Sequence, residues 1–249
     1  MVCCGGAAAA GHTGNVMSRN SHVDFSAVDG HLLDGLDYCR KVYDLFDLIS
    51  REPDGKNRLR LRPSKIEKRL IEELLPLARY IQARYQAGRR IKVRWLSGSQ
   101  PYDAVLWSSG SLVKHGGVPR KVFVEITTSV HPNDHLMRQL LCERGGSFGV
   151  KGIRREGKAI VSNPYVFSGD ENAKDLAEQI IARLSAKAKK PYSSATVLIV
   201  NCVPNCLILQ DEWKDAVLQV ENAKLTMPFR EIVLLDMLMS HTATIYGHR

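Results

Sequence analysis

Two carboxylates interrupt segments that are otherwise apolar. Asp103 opens Tyr102–Trp107, whose other members are Tyr, Ala, Val, Leu and Trp. Glu125 lies inside Val122-Phe123-Val124-Glu125-Ile126-Thr127. A carboxylate in such surroundings loses hydration and needs a base, hydrogen-bond donors or a metal. If the two segments are neighbouring strands, both groups can share one face, where they repel unless a cation joins them. Mg²⁺ suits this arrangement, because it is hard and takes one or two carboxylates with waters and a phosphate. Mn²⁺ is the substitute ion. The chemistry such a pair offers is metal-assisted phosphodiester hydrolysis. The competing readings are plain ones: Asp103 as a hairpin cap, and Glu125 in a buried ion pair with Lys121 or an Arg.

The charge balance points the same way. Lys and Arg total 35 against 26 Asp and Glu, a formal net charge of +9. An excess of this size favours a polyanionic partner. Seven basic residues fall between Lys56 and Arg69, among them Arg58, Arg60, Arg62 and Lys65. If Arg58-Leu59-Arg60-Leu61-Arg62 is extended, the three Arg share one face. That face suits phosphates and serves equally well as a solvated edge strand. A second basic group comprises Lys151, Arg154, Arg155 and Lys158.

The elements that must position these residues follow from periodicity. Residues 1–22 are rich in Gly, Ala and small polar types and read as a mobile leader, with no role for Cys3 and Cys4. The remaining 23–249 read as one α/β domain. Leu32, Leu36, Cys39, Tyr43 and Phe46 follow helical spacing. Ser64-Lys65-Ile66-Glu67 is a capping box opening a second helix, in which Pro76 predicts a kink or break near Leu75. Strands are expected over Ile91–Leu96, Tyr102–Trp107 and Lys121–Thr128, then a helix over Asp134–Arg144. A hairpin around Arg155-Glu156-Gly157 precedes a helix opened by the Ser168 capping box. The strand Thr196–Val203 follows, then a helix over Trp213–Val220 and strands at Ile232–Asp236 and Ala243–Tyr246. The long helix before Thr196 would let that strand run parallel to Lys121–Thr128. The expected class is α/β, with a mixed central sheet flanked by helices.

Helix–strand–strand–strand–helix–strand, with Pro101-Tyr102-Asp103 and Glu125-Ile126-Thr127, resembles the PD-(D/E)XK nuclease superfamily, the restriction-endonuclease-like αβββαβ core, over about 64–203. The resemblance implies Mg²⁺-dependent cleavage of a nucleic acid, DNA ahead of RNA, and leaves room for a homodimer. It places metal on Asp103 and Glu125. Glu67, or one of Glu72 and Glu73, would match the carboxylate some members carry on the first core helix. Tyr102 stands before Asp103 where the motif has Pro, and Thr127 stands where it has Lys. A hydroxyl offers no charge, so the cation must come from elsewhere. Lys121, with the strand parity of Glu125, ranks first, followed by Gln139 and Arg138. Two other readings stand beside this one: an inactive nucleic-acid-binding module of the same fold, and a subunit whose basic face meets an acidic protein.

Other motifs carry less. His131 and His135 flank a Pro-Asn turn, and Asn133 or Asp134 more simply caps the next helix. Cys202 and Cys206 read as buried free thiols. No nucleotide-binding loop or nucleophile elbow is present. No apolar run approaches a membrane span and no secretory signal is evident, so the expectation is a cytoplasmic protein.

Overall fold

A computed structural model describes residues 24–166 and 168–246. The expected leader, with Cys3 and Cys4, lies outside them. The strand β1 (Leu33–Asp34) leads into α1 (Gly35–Arg51). The Asp34 side chain accepts from the Leu36 N–H and so caps that helix. The helix starts later than the Leu32 spacing suggests, and both Leu32 and Leu36 are exposed. It ends before the Pro53-Asp54-Gly55 turn, as expected.

A short helix, α2 (Gly55–Leu61), follows. This overturns the extended reading of Arg58–Arg62. In a helix Arg58 and the C-cap Arg62, four apart, fall on one side and Arg60 on the other, so the three no longer line one face. Arg62 closes α2 in the left-handed region, at φ 56°.

Next come α3 (Lys65–Arg69), a π-helical turn (Leu70–Leu74) and α4 (Leu75–Arg84). The capping box at Ser64 and Glu67 is formed. Pro76 does not break the helix. The irregularity falls just ahead of it, where the Leu75 N–H bonds the Leu70 carbonyl five residues back. Proline removes a donor and crowds the preceding turn, and a widened turn accommodates both.

The sheet is built from β2 (Arg90–Trp95), β3 (Ala104–Ser109), β4 (Lys121–Ser129), β7 (Thr196–Cys202), β8 (Glu231–Asp236) and β9 (Thr242–Tyr246), with β1 at one edge. Between β3 and β4 lies the single turn α5 (Ser111–Lys114). Between β4 and β7 come α6 (Asp134–Arg144), the separate hairpin β5 (Ile153–Glu156) and β6 (Ala159–Ser162), and α7 (Gly169–Ala188). The helix α8 (Gln210–Asn222) joins β7 to β8. The strand order is β1-β2-β3-β4-β7-β8-β9. Pairs β2–β3 and β3–β4 are antiparallel, while β4–β7 and β7–β8 are parallel. The long excursion through α7 therefore returns a parallel strand, as its length requires.

Helices cover both faces of this mixed sheet. Val122, Val124, Ile126, Val197 and Ile199 pack with α1 and α4 on one side. Leu198, Val200 and Cys202 pack with α7 and α8 on the other. All seven residues of β7 are buried, the continuous apolar run expected of a central parallel strand. No helix among the described residues is long and apolar enough to cross a membrane.

Candidate functional site

The sheet forks beside Asp103. The β3–β4 ladder begins at the pair Ala104 and Val124, whereas β4 stays paired with β7 as far as Ser129 and Cys202. Beyond Val124, one edge of β4 therefore lacks a strand partner. Asp103 closes the ladder in two ways. Its N–H bonds the Val124 carbonyl at 2.8 Å, so Asp103 and Ala104 both lie against Val124, as in a β-bulge. Its carboxylate accepts from the Ile126 N–H at 2.7 Å, supplying the acceptor that a continued strand would have offered. Cap and functional candidate are one residue here.

Glu125 is buried on the face of β4 that turns towards α7. Its Oε1 accepts from the Lys187 ammonium at 2.5 Å and from the Tyr192 hydroxyl at 3.2 Å. Burial pushes the Tyr192 hydroxyl up, and the Glu125 charge adds to it. The ion-pair reading of Glu125 thus holds in part, with Lys187 in place of Lys121 or an Arg.

Asp103 and Glu125 interact. Burial pushes Asp103 up to about 7, with the Glu125 charge next in weight; the Ile126 N–H and Lys187 pull the other way. Near neutral pH the aspartate is therefore poised between its acid and its base. Glu73, on the π-helical turn, belongs to the same neighbourhood. Burial raises its pKa, and Glu125 contributes to the rise while Arg69 opposes it. The widened turn carries Glu73, while Leu70 and Leu74 of the same turn and Leu77 and Ile81 of α4 pack on the core.

Of the three helix carboxylates, Glu67 is used elsewhere. It is 1% exposed, holds the Ser64 cap and is ion-paired with Arg58. Its pKa is nevertheless lowered, because the hydrogen bonds from Ser64 and Arg58 outweigh burial, the largest single effect. Glu72 pairs with Arg62 at 3.0 Å.

The ranked sources of a replacement cation turn away. The Lys121 ammonium lies over the rings of Phe123, at 5.0 Å, and Trp107, at 5.8 Å. Gln139 donates to Glu143, and Arg138 pairs with Asp134 at 2.8 Å. The ammonium beside Glu125 is that of Lys187. Ala173, Leu176, Ile180 and Leu184 mark the inward stripe of α7, and Lys187 lies one further step along it. Extending that stripe by three residues was the signal available in the sequence. Thr127 is half-buried, two residues beyond Glu125 on the same strand, and pairs with Val200.

The basic residues of α2 are largely committed. Arg58 bridges Glu52 and Glu67, Arg62 pairs with Glu72, and Arg60 donates to the Leu141 carbonyl at 3.2 Å. Lys65 is exposed. Arg154 pairs with Glu156 beside it, and the exposed Arg155 donates weakly to Gln139 at 3.5 Å. His131 accepts from the Asn133 N–H, and Asn133 begins α6 without a side-chain cap. Cys202 is buried, whereas Cys206 is exposed.

The donor set fits a divalent cation in part. Asp103 and Glu125 are mutually repelling carboxylates at one fork, the situation a cation relieves. Among the described residues, no group of three or more His, Cys, Asp or Glu is gathered closely enough to hold an ion unaided. Waters and a substrate phosphate would have to complete the shell, as is usual for Mg²⁺.

No family model, curated protein or solved structure matches the chain.

Proposed function

We propose that this protein is a Mg²⁺-dependent phosphodiester hydrolase acting on a nucleic acid, built as a divergent member of the PD-(D/E)XK superfamily. The observation that carries the reading is the constellation of Asp103, Glu125 and Lys187 at the fork of the sheet. The order α3–α4, β2, β3, β4, α7, β7 agrees with the αβββαβ core, and Lys187 provides the ammonium that Thr127 cannot.

Asp103 and Glu125 would hold the cation, which supplies Lewis acidity towards a phosphoryl oxygen and acidifies a water. The chain's own residues do the rest. Lys187, hydrogen-bonded to Glu125, lies where it can stabilise charge on the scissile phosphate. Tyr192 fixes the second lone pair of the same Oε1 and so orients the carboxylate. Asp103 is held by the Ile126 N–H, so its free oxygen faces away from the strand. With a cation held beside it, Asp103 would stay ionised through the neutral range and so would act as a ligand. The formal charge of +9 favours approach of a polyanion.

The test is cleavage of linear and supercoiled DNA, and of RNA, with Mg²⁺ or Mn²⁺, by wild type, Asp103→Asn and Glu125→Gln. Cleavage by wild type that both variants lose supports the assignment. One observation favours a second reading, the inactive binding module: Glu125 is already neutralised by Lys187. Salt-dependent polynucleotide binding without cleavage in either metal would select it.

A further inference from the structure

A polar cavity of about 330 Å³ opens beneath the starts of β4, β7 and β8. Val122 and Val197 in its wall belong to the face packed by α4, whereas Glu125 faces α7. The two sites are therefore on opposite faces of the sheet. Three guanidinium-bearing residues line the cavity: Arg84, Arg89 and Arg230. One carboxylate, Glu231, lines it with them. Glu231 is committed, since its Oε1 accepts from the Tyr80 hydroxyl at 3.0 Å and from Arg84 at 3.1 Å.

Arg89 is the unusual member. It is 7% exposed, and its Nε donates to the Ser108 hydroxyl at 3.3 Å. Among the described residues, no carboxylate lies within ion-pair distance of it. Burial pushes its pKa down and the Arg84 charge adds to this, while Tyr80 and the Glu231 charge, the latter shared with Arg84, push it up; a guanidinium stays protonated in any protein environment. A buried permanent cation without its own counter-ion is costly, and the cavity beside it can admit one. Arginines are also the side chains best matched to the oxygens of a phosphate. The remaining wall mixes the aromatic residues Tyr80, Phe229 and Tyr246 with Val122, Val197 and the 117–119 loop. The volume is at the lower end of ligand sites and exceeds what a bare oxyanion needs.

We propose that this cavity binds a phosphomonoester, with the phosphate against Arg89, Arg84 and Arg230 and a planar ring system, such as a nucleobase, against the exposed Tyr246. The site takes the phosphate group whether it arrives as free phosphate or on a nucleoside, and the affinity ratio distinguishes the two sources.

The experiment is isothermal titration of the full chain, without divalent metal, against inorganic phosphate, a 5′-nucleoside monophosphate and the corresponding nucleoside. Either phosphate-bearing probe should bind while the nucleoside does not, and a tighter nucleotide identifies the ring as part of the ligand. Arg230→Ala, an exposed change that leaves the core intact, should weaken binding about tenfold. Arg89→Gln, with folding checked by circular dichroism, should abolish it. Glu125→Gln should leave it unchanged, which separates this site from the carboxylate fork. The proposal is overturned if neither probe binds at about 10 mM, if Arg230→Ala binds like wild type, or if Glu125→Gln removes binding.

Discussion

Lys187 of α7 donates its ammonium to Glu125 of β4 across the helix–sheet interface, over 2.5 Å. Thr127 stands two residues beyond Glu125 and carries no charge, so under the proposed reading the cation comes from a helix and not from the strand. The geometry of this pair generates the first two predictions.

Lys187→Ala should reduce Mg²⁺-dependent cleavage by about 10²–10³-fold, and Lys121→Ala should leave it within about twofold of wild type. Removing the ammonium also leaves Glu125 buried without its cation, at a stability cost on the order of 3 kcal/mol. Urea midpoints measured beside the rates separate the two effects. Lys187→Arg should keep most of the stability while activity falls, because a planar guanidinium places its charge differently. Equal losses from Lys121→Ala and Lys187→Ala would remove Lys187 from the site.

A lysine at position 127 should compensate. In the Lys187→Ala background, Thr127→Lys returns an ammonium to the β4 face beside Glu125. Cleavage should recover at least about tenfold over the single variant. Failure to recover, with the double variant folded, would place the role of Lys187 in positioning Glu125 alone.

Asp103 makes stability depend on pH in an unusual direction. Its pKa in the fold is about 7, against an ordinary value of 3.8. Between those limits the folded chain binds more protons than the unfolded chain, so this group's contribution to stability falls as pH rises from about 4 to about 7. The fall is at most about 4 kcal/mol for a shift of this size. Asp103→Asn should flatten that segment of the profile and raise the Tm at pH 7.5 relative to wild type. Mg²⁺ should release about half a proton per site on binding at pH 7, seen as a buffer-dependent enthalpy. An identical pH profile for Asp103→Asn and wild type would contradict the raised pKa.

Arg58 should contribute to stability more than to recognition. It neutralises Glu67, which is 1% exposed and also holds the Ser64 cap. Arg58→Ala should cost about 2–3 kcal/mol, less than a fully buried pair because the Arg58 side chain is 34% exposed. Polynucleotide affinity per folded molecule should change by less than about twofold. A large change in salt slope with an unchanged urea midpoint would restore Arg58 to a binding surface.

The sequence was most informative where pattern and packing coincide. The Ser64 and Ser168 capping boxes, the three strands and the Asp134–Arg144 helix are where periodicity and caps put them. Asp103 and Glu125 stood out because carboxylates are costly in apolar strands. Arg58–Arg62 misled because alternating charge reads as a strand, whereas Gly55 and the ion pairs to Glu52, Glu67 and Glu72 hold a helix. Lys187 was missed for a related reason. It lies more than sixty residues from Glu125, in a segment where Lys is common, and only the docking of α7 brings the two together. Glu73 needed the π-helical turn, which Pro76 signalled only as a kink.

That turn has a mechanical consequence. A five-residue step in a helix is equivalent to one inserted residue, so the segments before and after Leu70–Leu74 are out of phase by about 100° relative to an uninterrupted α-helix. Each segment has its own anchor: the Ser64 cap and Arg58 on one side, Leu77 and Ile81 against the sheet on the other. Excising a single residue between 70 and 74 would let the helix close regularly. Both anchors could then be kept only by rotating the intervening turn, and Glu73 would swing out of the fork. The helix thus works like a vernier, in which one surplus residue sets the angle of a carboxylate independently of the core that carries it.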